Sequence, residues 1–192
     1  MVSTNDFKTG MTIQKDGKIF SIIEFMHVKP GKGGAFVWTK LRNLRTGAII
    51  EFTFNAGVKV ETAMIDKVEM QFIYADGDNY VFMNNDTYEQ VEIPGDRIEN
   101  EKRFLVEGLN VNVQFFKNNG SDEFLGVILP DKVSLTIVDT TPGVKNDNTK
   151  TNSMKDATLE TGYVIKVPMF IESGEKIIVS TLTGEYSSRD NK

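Results

Sequence analysis

Few residues in this chain could do chemistry unaided. Its 192 residues include one histidine and no cysteine. A thiolate nucleophile, a disulfide, a thiolate zinc site and an iron–sulfur cluster are therefore excluded. A Ser-His-Asp triad would have to use His27, which lies in an apolar, strand-like run with no predictable acidic partner. There is no Gly-x-x-x-x-Gly-Lys-Ser/Thr loop. Pro30-Gly31-Lys32-Gly33-Gly34 lacks both that spacing and the helix that would hold phosphates. The carboxylates of residues 66–129 scatter over turns and strand faces and read as solvated surface. No active site, metal or cofactor is expected, and a binding protein is the default.

What remains is cation chemistry. Lys32 sits between Pro30-Gly31 and Gly33-Gly34, with alternating apolar residues on both sides. This pattern predicts a β-hairpin whose tip is stripped of bulk around one long cation. Glycine suits a tip because the backbone there often needs φ > 0, and proline cannot extend a strand ladder. From Phe25 to Lys32 such an arm reaches about 23 Å at ~3.3 Å per residue. Taken alone, a tip lysine is ordinarily a solvated charge. Here Lys29, Lys40 and Arg42 accompany it, interleaved with Phe36 and Trp38. Cations meeting phosphates and rings that stack suit RNA, although both rings would equally suit a core.

The elements that must position these residues are short strands. Asp16-Gly17 predicts a hairpin turn into Lys18–Phe25, Ala35–Arg42 forms the return strand, and Arg45-Thr46-Gly47 leads into Ile49–Phe54. Some five strands in about 60 residues predict a small SH3-like barrel over residues 1–65. A second unit, 66–129, carries strands at Lys67–Tyr74, Tyr80–Met83 and Tyr88–Ile93, with Asp76-Gly77 as a turn. A helix-compatible segment at Asp96–Val106 follows, then strands at Asn110–Phe116 and Glu123–Ile128. That order is expected of an OB-type barrel. A third unit, 130–192, echoes the second. Lys67-Val68 matches Lys132-Val133, Val91–Pro94 matches Ile165–Pro168, and Gly108, Val111 and Val113 match Gly174, Ile177 and Val179. Matches in one order predict an internal duplication. The third unit adds a polar insertion, Thr141–Lys155, and Ser187–Lys192 is expected to fray.

The net charge of −5 argues against nucleic acid as a partner of the whole chain. Its distribution is uneven. Residues 1–65 hold nine Lys/Arg against five Asp/Glu, residues 66–129 five against thirteen, and residues 130–192 eight against nine. The polar, acidic start, Met1–Asp6, leads us to expect no signal peptide, and no apolar run approaches the ~20 residues of a membrane span.

The stretch Lys29–Phe36, followed by Lys40-Leu41-Arg42-Asn43-Leu44-x-Thr46-Gly47, resembles the first domain of bacterial translation elongation factor P. Tyr80-x-Phe82-Met83-Asn84-Asn85-x-Thr87-Tyr88-Glu89-Gln90 resembles its second domain. Lys155-x-Ala157-Thr158-Leu159-x-Thr161-Gly162-x-x-Ile165-x-Val167-Pro168, then Gly174 and Gly184-Glu185-Tyr186-x-Ser188-Arg189, resembles its third. The resemblance implies an all-β protein of three small barrels: an SH3-like or KOW-like N-terminal domain followed by two OB-fold domains, L-shaped like a tRNA. It implies a cytoplasmic monomer that binds the ribosome between the peptidyl and exit tRNA sites and relieves stalling at consecutive prolines without an active site of its own. Lys32 then matches the tip lysine facing the CCA end of peptidyl-tRNA, and is the candidate for extension by a lysine-modifying enzyme. Lys29, Pro30, Gly31, Gly33, Gly34, Lys40 and Arg42 would meet peptidyl-tRNA or ribosomal RNA. Tyr186 and Arg189 match positions near tRNA or the small subunit. Asn146, Asp147 and Asn148 fall in a loop that approaches the exit-site codon in some members. The alternative is a paralogue or a general tRNA- or RNA-binding module without proline rescue.

Overall fold

The computed structural model describes residues 1–118, 120–142 and 153–190, and these are almost entirely β-strand and turn. Val2–Ser3 (β1), Thr12–Lys15 (β2), Lys18–Val28 (β3), Phe36–Asn43 (β4), Ile49–Asn55 (β5) and Lys59–Thr62 (β6) form a six-stranded sheet in the order β1-β6-β2-β3-β4-β5. Ile65–Asp76 (β7), Asn79–Asn84 (β8), Gln90–Pro94 (β9), Asn110–Asn118 (β10) and Ser121–Ile128 (β11) form a second, ordered β11-β10-β7-β8-β9. Lys132–Thr140 (β12), Met154–Leu159 (β13), Val164–Pro168 (β14), Lys176–Ser180 (β15) and Tyr186–Arg189 (β16) form a third, ordered β14-β13-β12-β15-β16. The chain makes two compact units, Met1–Lys67 with Val113–Gly126 and Val68–Asn112 with Val127–Lys192. Among the described residues no helix is long and apolar enough to cross a membrane.

The two five-stranded sheets repeat one plan. Counted in their own chain order, each runs third-second-first-fourth-fifth. The first strand bulges at the same place, between Phe72 and Tyr74 and between Ile137 and Asp139. Both copies then enter the fourth strand through a left-handed glycine. Gly108 (φ +84°) donates to the Phe72 carbonyl and Gly174 (φ +86°) to the Ile137 carbonyl, each at 2.8 Å. In the third sheet β12 pairs with β15 through Lys132–Thr136 and with β13 through Ile137–Thr140, so one bent strand serves two halves of a barrel. The expected duplication therefore holds at the level of hydrogen bonds.

Alternation sets the cores. Ile13, Phe20, Ile22, Val37, Leu41 and Phe54 pack inside the six-stranded sheet, with Phe7 edge-on to Phe54 at 5.5 Å. Leu135, Ile137, Leu159, Val167, Ile177 and Val179 fill the third. Burying each such side chain contributes roughly 1.5–3 kcal/mol against the entropy of ordering it.

Three local expectations need correction. Asp96–Val106 is not one helix but two single turns of 3₁₀ helix, Gly95–Ile98 and Glu101–Phe104. Its buried residues, Ile98, Phe104 and Leu105, leave charged Glu101 and Lys102 where a continuous helical stripe would need apolar ones. The turn expected at Asp76-Gly77 lies one residue on, at Gly77-Asp78, because Asp76 already pairs with Asn79. Ser188 and Arg189 do not fray; they pair with Ile178 and Ile177.

Candidate functional site

The Lys32 hairpin is an arm of three strands rather than two. β3 and β4 stay paired out to Val28 and Phe36, leaving residues 29–35 as the loop. β5 runs alongside β4 to the same level, where Asn55 faces Phe36, and the Ala56 N–H donates to the Ala35 carbonyl at 3.0 Å. A lone hairpin is marginal in water, and a third strand with a buried face stiffens it. Inward along β4 point Val37, Thr39, Leu41 and Asn43, all buried. The Thr39 hydroxyl donates to the Phe52 carbonyl at 2.7 Å.

The opposite face of β4 carries the residues that could recognise RNA. Phe36, Trp38, Lys40 and Arg42 alternate with the buried set and so share this face. Trp38 and Phe36 are half-buried and are not among the buried core residues described. Met26 of β3, 57% exposed, lies across from Trp38. Glu24 and Glu51 flank Lys40 from the two neighbouring strands, with Glu24 only 3.9 Å from its ammonium. The Trp38 indole N–H points to a Glu51 carboxylate oxygen at 3.4 Å. Sequence reasoning found the cations and rings but missed Met26, Glu24 and Glu51. Only the strand register, read outward from the tip, could have found them.

At the tip, Lys29 to Gly34 are all exposed. Gly33 takes φ +105°, which side-chain-bearing L-residues rarely adopt, whereas Gly31 and Gly34 do not need a left-handed backbone. Lys29, Lys32 and Arg42 have no ion-pair partner among the described residues. Lys32 stands four residues beyond the last paired residue, Val28, hence up to ~13 Å from it at strand rise. Exposed and without an ion pair among the described residues, this ammonium is suited to hold an anion or a hydroxyl. His27 is an exposed strand residue whose ring meets that of Phe25 at 5.6 Å.

Arg45 belongs to the scaffold. Its guanidinium forms a two-point pair with Glu123, Nε to Oε1 at 2.6 Å and Nη2 to Oε2 at 2.9 Å, and donates from Nη1 to the Gly17 carbonyl at 2.7 Å. The Glu123 hydrogen bond holds the guanidinium above its ordinary pKa.

Tyr186 and Arg189 lie in the other unit, on β16. A bulge at Ser187 lets Tyr186 face Val179 while Arg189 faces Ile177, which puts both side chains on one face despite their odd spacing. Tyr186 packs on the core, and burial pushes its phenol above its usual value; Arg189 opposes this and Glu175 adds to it. Arg189 is exposed but engaged. Its Nε lies 2.9 Å from Glu175, Nη2 donates to the Phe170 carbonyl at 3.1 Å, and its plane sits 4.8 Å over the Phe170 ring. Asn146, Asp147 and Asn148 lie outside the described residues.

Three profiles of one protein family match the chain in order. They are the elongation factor P KOW-like domain at residues 3–60, the elongation factor P OB domain at 65–120 and the elongation factor P C-terminal domain at 133–189. Elongation factor P of Onion yellows phytoplasma (strain OY-M) is 59% identical over 191 residues, covering 100% of this chain and 99% of the relative. That of Phytoplasma australiense is 60% identical over the same coverage. Among solved structures, eukaryotic translation initiation factor 5A from Methanococcus jannaschii superposes with a TM-score of 0.50 at 28% identity, over 66% of this chain and 94% of that one.

Proposed function

This chain belongs to the elongation factor P family and is a translation elongation factor, and on that premise we propose that it relieves ribosomes stalled at consecutive prolines. It binds between the peptidyl and exit tRNA sites, and Lys32 steadies the CCA end of peptidyl-tRNA. The observation that carries this reading is Lys32 itself, exposed and without an ion pair among the described residues, at the glycine-bounded end of a braced three-stranded arm.

The mechanism uses position rather than proton transfer. Ribosomal RNA makes the peptide bond, and proline is a constrained donor and acceptor. An ammonium held at the CCA end by a stiff arm restricts the wandering of the tRNA, and each ~1.4 kcal/mol taken off the barrier is a tenfold gain in rate. Bare glycines at the tip let backbone and RNA approach closely. Lys29, Lys40 and Arg42 add phosphate contacts along the arm, and Trp38 and Phe36 offer surfaces for stacking. The reading takes residues 1–65, 66–129 and 130–192 as three domains of a cytoplasmic monomer, with Tyr186 and Arg189 near tRNA or the small subunit. It also leaves the Lys32 ammonium open to a modifying enzyme, which the intact mass of protein from its native cell would reveal.

The test is reconstituted translation of paired reporters, one with Pro-Pro-Pro and one without. The protein is expected to speed the first and leave the second unchanged. Equal rates on both, with and without the protein, would favour a paralogue or general RNA-binding module.

A further inference from the structure

The outer face of β4 is not a uniform cationic track. Directly opposite residues of paired strands share a face, so the register sets what surrounds each side chain. Trp38, the one tryptophan of the chain, has Met26 across from it on β3 and Thr53 on β5. Met26 and Thr53 are exposed and Trp38 is half-buried. Two residues on, about 7 Å away at strand rise, Lys40 lies between Glu24 and Glu51. Arg42 follows on the same face, and the loop at the other end carries Lys29 and Lys32. The face thus has an apolar shelf with a carboxylate edge and cations at both ends.

Glu51 gives the shelf a direction. The indole N–H, a donor only, points to Glu51 Oε2 at 3.4 Å and so fixes a carboxylate at the edge of the ring. Glu51 forms no ion pair among the described residues, and its Oε1 accepts no hydrogen bond from them. A carboxylate beside an indole suits two kinds of group, an arginine side chain or a nucleobase whose edge carries N–H donors. The surrounding charge decides between them. Lys29, Lys32, Lys40 and Arg42 outnumber Glu24 and Glu51, and residues 1–65 hold nine basic residues against five acidic. An arginine segment would meet net like charge. A nucleotide would meet cations with its phosphates and the shelf with its base. Guanine presents two adjacent donors, N1–H and N2–H, on its Watson–Crick edge, and a carboxylate offers two acceptor oxygens.

We propose that Trp38 and Met26 seat one unpaired guanine of an RNA, with Glu51 accepting from its N1–H and N2–H. The assignment deepens, and rests on, the reading that this face meets RNA. Phosphate contacts carry no sequence information, and Glu51 supplies a choice of base. The experiment titrates the full chain at low salt with the single-stranded RNA pentamers UUGUU, UUAUU, UUCUU and UUUUU. Binding is read by anisotropy of a 5′ fluorescein, and stacking by the emission of Trp38 with unlabelled RNA. UUGUU is expected to bind about tenfold tighter than the other three and to quench Trp38 along the same curve. Glu51→Gln should bring UUGUU to within about twofold of the others. As an exposed near-isostere it should melt with the parent, so that a lost preference is not lost folding. Trp38→Leu should weaken UUGUU about tenfold, within the range for a stacked base that loses its ring. Equal affinity for the four RNAs, binding to none of them, no quenching, or either variant behaving as the parent overturns the assignment. Quenching by a tetra-arginine peptide at a lower concentration than by UUGUU would point to a protein partner and overturn it too. Pelleting of the parent with ribosomes tests the ribosome reading separately, and a parent that pellets but shows no preference among the pentamers loses this assignment alone.

Discussion

Replacing Gly33 by alanine separates the placement of Lys32 from its chemistry. Gly33 holds φ +105°, and a Cβ there would meet only Pro30 Cγ at 3.9 Å, an ordinary contact. The penalty is therefore one of backbone conformation. A side-chain-bearing L-residue forced into such a region stores about 1–3 kcal/mol. At ~1.36 kcal/mol per tenfold, the observed tip conformation loses about 5- to 160-fold in population. Residues 29–34 are exposed, so the loop should relieve the strain by rearranging rather than passing it to the core. Gly33→Ala should therefore melt with the parent yet need about 5- to 160-fold more factor for half-maximal synthesis of a Pro-Pro-Pro reporter. A semisynthetic protein with D-alanine at position 33, whose backbone accepts positive φ, should recover most of the loss while keeping the extra methyl. Parental activity for Gly33→Ala, or equal impairment by both alanines, would refute the claim that the tip conformation matters.

Two further outcomes follow from the scaffold. Tyr186 is held above its usual pKa chiefly by burial, so its folded form binds the proton more tightly than the unfolded chain. The stability it contributes is present below about pH 10 and lost as pH rises through the folded value. The difference in tyrosinate absorbance between the parent and Tyr186→Phe should titrate above pH 10, and a midpoint at or below 10 would contradict the burial. For Arg45 and Glu123, a third exposed on each side, a double-mutant cycle with Arg45→Met and Glu123→Gln should give a coupling of about 0.5–1 kcal/mol in urea unfolding. A coupling indistinguishable from zero would reduce that two-point pair to a surface contact.

Strand identity was legible because its signals are local. Asp16-Gly17 reads as a hairpin turn, and both residues are left-handed, at φ +51° and +70°. The duplication was legible in scattered residues such as Gly108 and Gly174, which prove to be the same hydrogen-bonded position in two sheets. The 3₁₀ turns were not, because a proline start signal and polar composition fit a helix until the missing apolar stripe is weighed. Nor was the face of Trp38. Alternation says that Trp38 and Val37 point opposite ways, but which way is inward depends on Phe54 and Phe20 arriving from other strands. The carboxylates around Lys40 were hidden for the same reason, since register is a property of pairs of strands.

The central claim is that Lys32 acts by being placed, and one comparison reaches it most directly. The rate of Pro-Pro bond formation is measured on ribosomes saturated with either the parent protein or Lys32→Ala, with occupancy of both confirmed by pelleting. Lys32 is exposed and forms no ion pair among the described residues, so the variant is expected to fold and occupy the ribosome while leaving the slow rate unrelieved. Full acceleration by Lys32→Ala at equal occupancy would contradict the account.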